Sequence, residues 1–379
     1  IQLTPDAWQS RTVWQVLDSA QSALPEDASD VPTTQDDPLT QARVSALGGL
    51  QAASLPGGYQ GAAVAHEPGL CIKGPALITH WLQQCPDLQT LWQRRVMHLQ
   101  RVAQDGSTQQ WQALDADGLV IAQAQLVVVA SAMSATQLAP VQLESPSGQT
   151  NNPLLTPLRG QITLGHWPRD DQTVSPATTA LPALTGHGHF IANWSQPQNA
   201  QDAQDWDWSM GSSFERNDED RTPRMASDQV NLLKLSRLAP QLANSLGPQF
   251  AATDKPSWLQ PWVEVRATTA DRLPMAGAVP DWSAVQATAG QDTTIGHALQ
   301  GTGLRKPAKA AWTLDNLPRL PGLYMVCGLG TRGLSLAALC AELLASQIEG
   351  EPWPLDTLLA QAMDPARFEL KRLRQSASA

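Results

Sequence analysis

Leu323-Tyr324-Met325-Val326-Cys327-Gly328-Leu329-Gly330-Thr331-Arg332-Gly333, running on through Leu334 to Ile348, is the stretch on which the fold turns. A strand-like apolar run leads into three glycines at G-x-G-x-x-G spacing. The residues behind them are apolar almost all round, as in a buried helix. Glycine at these places lets a backbone approach a ligand, and the helix N-terminus favours negative charge. Taken alone, the loop reads equally well as a tight turn with close helix packing. It does not open a dinucleotide-binding βαβ unit: Gly350-Glu351-Pro352-Trp353-Pro354 follows the helix, and its prolines exclude a central strand.

Upstream lies Trp262-Val263-Glu264-Val265-Arg266-Ala267-Thr268-Thr269-Ala270-Asp271-Arg272-Leu273-Pro274-Met275-Ala276-Gly277, read as a strand that ends in an arginine and then a turn. Further back, Pro75 suits a first helical turn, with Ala76, Leu77, Ile78, Trp81 and Leu82 at helical spacing until Cys85-Pro86. Trp92 to Leu99 reads as a strand. Trp111 to Leu114 and Leu119 to Ala122, joined through Asp117-Gly118, read as a hairpin. Leu126-Val127-Val128-Val129-Ala130 is an unbroken apolar run, expected to be a strand covered on both faces.

The order strand, Arg, Thr-x-Asp, Leu-Pro, small-Gly, then strand, Gly-x-Gly-x-x-Gly and helix resembles the C-terminal half of the FAD-dependent D-amino-acid-oxidase family. Ser209 to Asp218, the string Arg272-Leu273-Pro274-Met275-Ala276-Gly277-Ala278-Val279-Pro280-Asp281 and Asp364-Pro365-Ala366-Arg367-Phe368 narrow the resemblance to a branch that modifies tRNA. The resemblance implies FAD as cofactor, touched by Val96, Ala130, Gly328, Leu329, Gly330, Thr331, Arg332, Gly333 and Leu334. It implies that Arg266 grips a substrate carboxylate, for which a guanidinium fork is well suited. Arg332 is read either as facing substrate or flavin, or as solvated. The implied reaction is oxidative removal of the carboxymethyl group from 5-carboxymethylaminomethyl(-2-thio)uridine at the tRNA wobble position, in a parent protein with an upstream methyltransferase domain. Oxidation of a free amino acid of the glycine or sarcosine type, or a non-catalytic remnant, are the alternatives.

The implied fold is mixed α/β: a Rossmann-like FAD domain interleaved with an antiparallel-sheet substrate domain. The expected segments are 1–62 (substrate domain), 63–138 (FAD domain), 139–262 (substrate domain), 263–350 (FAD domain) and a tail, 351–379. The family opens with a strand, a glycine-rich turn and a helix that hold the FAD pyrophosphate, and nothing of that kind precedes Ile1. The FAD domain is therefore expected to be incomplete, with an open strand edge and weak retention of FAD. Ala130-Ser131-Ala132 stands where the family carries Ala-x-Gly, so a methyl at Ala132 occupies a place of close backbone approach.

Bulk properties agree with an enzyme of small-molecule chemistry. A chain of 379 residues suggests two packed bodies, and 42% apolar with 16% charged residues excludes disorder. The net charge of −10 argues against a general nucleic-acid binder. Arg367, Lys371, Arg372 and Arg374 form a basic tail, read as a solvated helix end. The four cysteines include no CxxC pair and are read as buried structural residues in a cytoplasmic protein. His187 and His189 have no ligand-spaced companions, and no metal is expected. No apolar run has membrane-spanning length. Arg159-Gly160-Gln161 is read as structural, and 20–42 as an exposed acidic loop.

Overall fold

The structure is a computed structural model that describes residues 8–16, 51–55, 58–104, 108–142, 154–167, 181–192, 207–251, 259–291 and 312–376. The 20–42 loop and Ile1 to Ala7 lie outside the described residues. In chain order the strands are β1 (Trp8–Val16), β2 (Gln51–Leu55), β3 (Tyr59–Ile72), β4 (His98–Gln104), β5 (Thr108–Leu114), β6 (Val120–Ala124), β7 (Val127–Val129), β8 (Leu155–Gly165), β9 (Ala183–Thr185), β10 (His189–Ala192), β11 (Trp208–Gly211), β12 (Glu215–Arg216), β13 (Leu259–Thr269), β14 (Met275–Pro280) and β15 (Arg319–Cys327). The helices are α1 (Gly74–Gln83), α2 (Ala135–Leu138), α3 (Met225–Leu238), α4 (Pro240–Ala251), α5 (Trp282–Gln291), α6 (Gly333–Glu349), α7 (Thr357–Ala362) and α8 (Arg367–Ser376). The chain divides into two compact units. The first is Ile1–Thr90, Arg159–Glu215 and Asp220–Glu264; the second is Leu91–Leu158, Arg216–Glu219 and Val265–Ala379.

A nine-stranded sheet runs β12-β8-β11-β10-β9-β1-β3-β2, with β13 also paired to β8. Apart from the parallel β1–β9 pair, the registers described in it are antiparallel, from Trp8↔Ile72 to Val16↔Ala63 in β1–β3. In the first unit, Leu184, Phe190, Trp208 and Met210 pack with Leu235 and Leu238 of α3 and Leu242 and Leu246 of α4. Trp208 is wholly buried, and its ring lies so close to Gly165 that a Cβ there would come within 2.1 Å of it.

Under this core runs a buried polar seam whose two periodicities match. Arg159, Gln161 and Thr163 alternate along β8, while Ser227, Asp228 and Asn231 share a helix face on α3. Asp228 Oδ1 accepts from Gln161 Nε2 at 2.7 Å and Thr163 Oγ1 at 2.8 Å. Arg159 donates to Glu215, Ser227, Gln161 and the carbonyls of Asp220 and Thr222. A fully buried guanidinium is tolerated because every arm has an acceptor. The Arg159-Gly160-Gln161 stretch is structural, as its sequence suggested.

The second unit holds two three-stranded sheets, β14-β15-β7 and β4-β5-β6. β15 pairs parallel with β7 (Leu323↔Val127 to Met325↔Val129) and antiparallel with β14. The two apolar runs therefore share one sheet, as expected. The β5–β6 hairpin also matches: Gly118 turns at φ 78, and Asp115 Oδ1 accepts from Asp117 N and Leu119 N. Trp111 Nε1 donates to Pro321 O at 2.9 Å, linking the two sheets.

Four expectations need correction. The strand read at Trp92 to Leu99 starts only at His98, because Gln93 at φ 59 breaks the extended chain. Leu126 to Ala130 is not covered on both faces: Val129 is buried while Val128 is 43% exposed. Continuous apolarity hid an ordinary alternation of faces. The α6 helix is likewise half-buried, with Cys340, Leu343 and Leu344 inward and Leu334 60% exposed. The strand carrying Arg266 continues to Thr269 before it turns.

Candidate cofactor and substrate site

The glycine loop forms where β15 runs out. Gly328 (φ 73) and Gly330 (φ 55) are left-handed, a conformation L side chains rarely adopt. Space enforces the choice at Gly328, where a Cβ would meet Thr269 Cγ2 at 2.7 Å; at Gly330 it would meet Thr268 Cγ2 at 3.1 Å. Gly330 N donates to Ala267 O at 2.9 Å, and Thr268 bridges Leu329. The loop thus lies along the end of β13.

Behind it α6 starts with Arg332 as N-cap residue, no side-chain cap and no acid in the first turn. The first-turn amides of Gly333, Leu334 and Ser335 belong to the group a helix cannot pair within itself. A Cβ on Gly333 would meet nothing within 4 Å. An uncapped helix start behind a loop with glycine at 328, 330 and 333 fits the electron-rich edge of a flavin.

Arg266, half-buried, lies two residues before Thr268 on β13, so the strand alternation puts both on one face. Thr268 Oγ1 donates to Thr156 O at 2.8 Å, and its methyl is the one nearest Gly330. Arg332 Nη1 reaches Arg272 O at 3.5 Å, and Thr331, Arg332 and Leu334 are exposed. Ala130 is exposed and directly follows β7; the parallel register sets it at the same sheet end as Gly328. Ligands of such sheets gather at the carboxyl ends of parallel strands. Val96, half-buried, lies apart in chain and sheet, just before β4. Ala132 is left-handed at φ 50, the conformation a glycine would adopt without strain.

Sequence reading missed the residues that frame the loop. Thr268 and Thr269 carry no chemical signal in the sequence, yet their methyls shape the loop. Arg367 is no solvated tail residue: its side chain is 9% exposed and it binds Asp271 through Nε at 2.9 Å and Nη2 at 3.0 Å. Arg372, half-exposed, pairs with Glu369 one turn away. Burial alone would raise the Asp271 carboxyl, but hydrogen bonds and charge from Arg367, with Leu273 N, hold it below its ordinary value. Burial pushes the Cys327 thiol up to about 12 against the opposing charge of Arg367, so it is no nucleophile. Cys85 is exposed, unlike the other three cysteines. Among the described residues no group of three His, Cys, Asp or Glu side chains could hold a metal, and no helix is long and apolar enough to cross a membrane.

A family model described as DAO, FAD dependent oxidoreductase, matches residues 7–347. The chain is 38% identical over 274 residues to the tRNA 5-methylaminomethyl-2-thiouridine biosynthesis bifunctional protein MnmC of Cupriavidus necator, covering 70% of this chain and 34% of that protein. To the protein of the same name from Burkholderia multivorans it is 35% identical over 290 residues, 76% of this chain and 35% of the other. The chain thus spans about a third of the length of the curated relatives it matches. Its fold is similar to glycine oxidase from Geobacillus kaustophilus, with TM-score 0.55 and 14% identity over 93% of this chain and 75% of that one. Iminodiacetate oxidase from Chelativorans gives TM-score 0.53 and 16% identity over 92% and 74%.

Proposed function

The chain belongs to the DAO family of FAD dependent oxidoreductases, and on that premise we propose that it removes the carboxymethyl group from 5-carboxymethylaminomethyl(-2-thio)uridine at the tRNA wobble position. The product is the aminomethyl form. The chain would be the oxidative part of a bifunctional protein, whose further length provides a methyltransferase domain. The relatives named for this tRNA modification support the substrate. The observation that carries the chemistry is the placing of Arg266 on the strand face of Thr268, whose methyl lines Gly330.

The substrate group is a secondary amine next to a carboxylate. Arg266 would grip the carboxylate as a bidentate fork and so fix the methylene between the two groups. Bound FAD supplies the two-electron acceptor that takes the α-hydride. Gly328 and Gly330 would let the loop backbone approach that cofactor, and the first amides of α6 would face its electron-rich edge. The neutral amine's own lone pair drives the hydride out, so no protein base is required. Water then adds to the substrate C=N bond, and the C–N bond breaks to give glyoxylate and the primary amine.

Free glycine and sarcosine also present an amine one methylene away from a carboxylate, so the test compares them. FAD-loaded protein is incubated with tRNA carrying the carboxymethylaminomethyl group, or with each free amino acid, followed by nucleoside mass analysis and a glyoxylate assay. Loss of the carboxymethyl mass with matching glyoxylate is the expected result. Turnover of the free amino acids with intact tRNA would overturn the proposal.

A further inference from the structure

The glycine loop takes its shape from the end of β13 and the turn that follows. Gly330 N is bonded to Ala267 O, Thr268 bridges Leu329, and the Thr269 methyl fills the space beside Gly328. The turn carries Arg272 at φ 62, a backbone state that persists in a non-glycine residue only when its surroundings impose it. Arg272 N donates to Thr269 O at 3.2 Å, Thr269 Oγ1 to Leu273 O at 2.6 Å, and Leu273 N to Asp271 Oδ1 at 3.0 Å. These local bonds close the turn.

One side chain from 96 residues away spans it. Arg367 Nε donates to Asp271 Oδ2 at 2.9 Å, and Nη2 donates both to Asp271 Oδ1 at 3.0 Å and to Leu273 O at 2.8 Å. The guanidinium plane also lies over the Phe368 ring, 4.2 Å from its centroid. The segment that presents Arg367 has its own anchors: Arg319 is bidentate to Asp364, Ala276 N donates to Met363 O, and Pro365 lies against Gly277. On the far side of the turn, the Arg272 carbonyl receives Arg332 of the loop.

We propose that Arg367 is a positioning residue for the glycine loop. By clamping Asp271 and the Leu273 carbonyl it holds the left-handed turn that Thr269, Gly328 and Arg332 rest on. The loop and the first turn of α6 are therefore presented to the flavin only while the Arg367 clamp on Asp271 and Leu273 is closed. This clamp would serve whichever amine the site oxidises. Arginine is the side chain it requires, because one planar fork must bond a carboxylate and a carbonyl at once.

The test is amide hydrogen exchange on the full chain without added flavin, comparing wild type with Arg367→Met, Arg367→Lys, Asp271→Asn and Arg319→Met. Arg367→Met should speed exchange at Arg272, Leu273 and Gly330 by about tenfold or more, the protection one charge-assisted hydrogen bond confers. Arg367→Lys should recover part of it, since an ammonium keeps the Asp271 charge pair without the fork. Asp271→Asn should repeat the pattern more mildly, and serves if Arg367→Met does not fold. Arg319→Met, which cuts the other anchor, should loosen Asp364 to Ala366 and leave Gly330 protected. In the flavin-loaded protein, fluorescence titration should show weaker FAD binding in Arg367→Met than in Arg319→Met. The proposal fails if Gly330 keeps wild-type protection in Arg367→Met, or if Arg319→Met exposes it equally.

Discussion

Replacing Gly328 by alanine, alone and together with Thr269→Ser, separates the two reasons for a glycine there. A non-glycine residue at φ 73 costs about 1–2 kcal/mol. The new Cβ would stand 2.7 Å from Thr269 Cγ2, and crowding of that kind costs about 1–3 kcal/mol in a packed interior. Restricting the unfolded chain returns roughly 0.4–1 kcal/mol. Gly328→Ala should therefore destabilise by about 2–4 kcal/mol in urea unfolding. Thr269→Ser deletes the offending methyl and keeps the hydroxyl that donates to Leu273 O, so alone it should cost about 1 kcal/mol. In the double variant the crowding vanishes and the backbone strain stays. The two substitutions should then couple favourably by about 1–2 kcal/mol, well outside the roughly 0.3–0.5 kcal/mol scatter of independent sites. Strict additivity would refute the claim that the Thr269 methyl dictates glycine at 328.

Arg159→Met should cost about 3–5 kcal/mol, because the Asp220 and Thr222 carbonyls and the Ser227 and Gln161 side chains lose a buried donor; a thermal melt within a degree or two of wild type would contradict it. Native alkylation at mildly alkaline pH followed by peptide mass mapping should label Cys85 and spare Cys71, Cys327 and Cys340, the last two with thiols pushed up to about 12 and about 11. Rapid labelling of Cys327 would show that its strand is not buried. Since Asp271 is held below its ordinary 3.8, the Arg367 pair contributes stability that is full above that value and lost as pH falls through the lower folded one. Acid titration of Asp271→Asn should therefore show a shallower loss of stability than wild type, and identical curves would remove the pair from the account.

Parts of both units were legible because local and global signals agree there. Gly118 suits a tight hairpin turn, Pro75 opens a helix, and Leu323 to Gly333 announces strand, loop and helix within a few residues. What misled was uniform apolarity. Leu126 to Ala130 has no polar residue to mark its exposed side, and α6 uses leucines and alanines on both its faces, so burial could not be read from composition. A positive φ at Gln93 has no sequence signal, which is why the Trp92 strand was misplaced. Of the candidate site, the loop glycines were readable because that residue type is tied to its backbone conformation. Thr269 and Arg367 were not, since their roles depend on contacts between segments distant in the chain. A threonine methyl that excludes a Cβ looks like any other threonine until the loop is laid against it.

The central claim is that Arg266 recognises the carboxylate of the group being oxidised beside the glycine loop. It is tested most directly by anaerobic mixing of the FAD-loaded protein with modified tRNA, following the bleaching of the flavin's visible band. Wild type should bleach with tRNA carrying the carboxymethylaminomethyl group and stay yellow with tRNA carrying only the aminomethyl form. Arg266→Met should bleach at least about a hundredfold more slowly with the first, the loss that follows removal of one partner from a desolvated charge pair. Equal bleaching by both tRNAs, or an unaltered rate in Arg266→Met, would contradict the assignment.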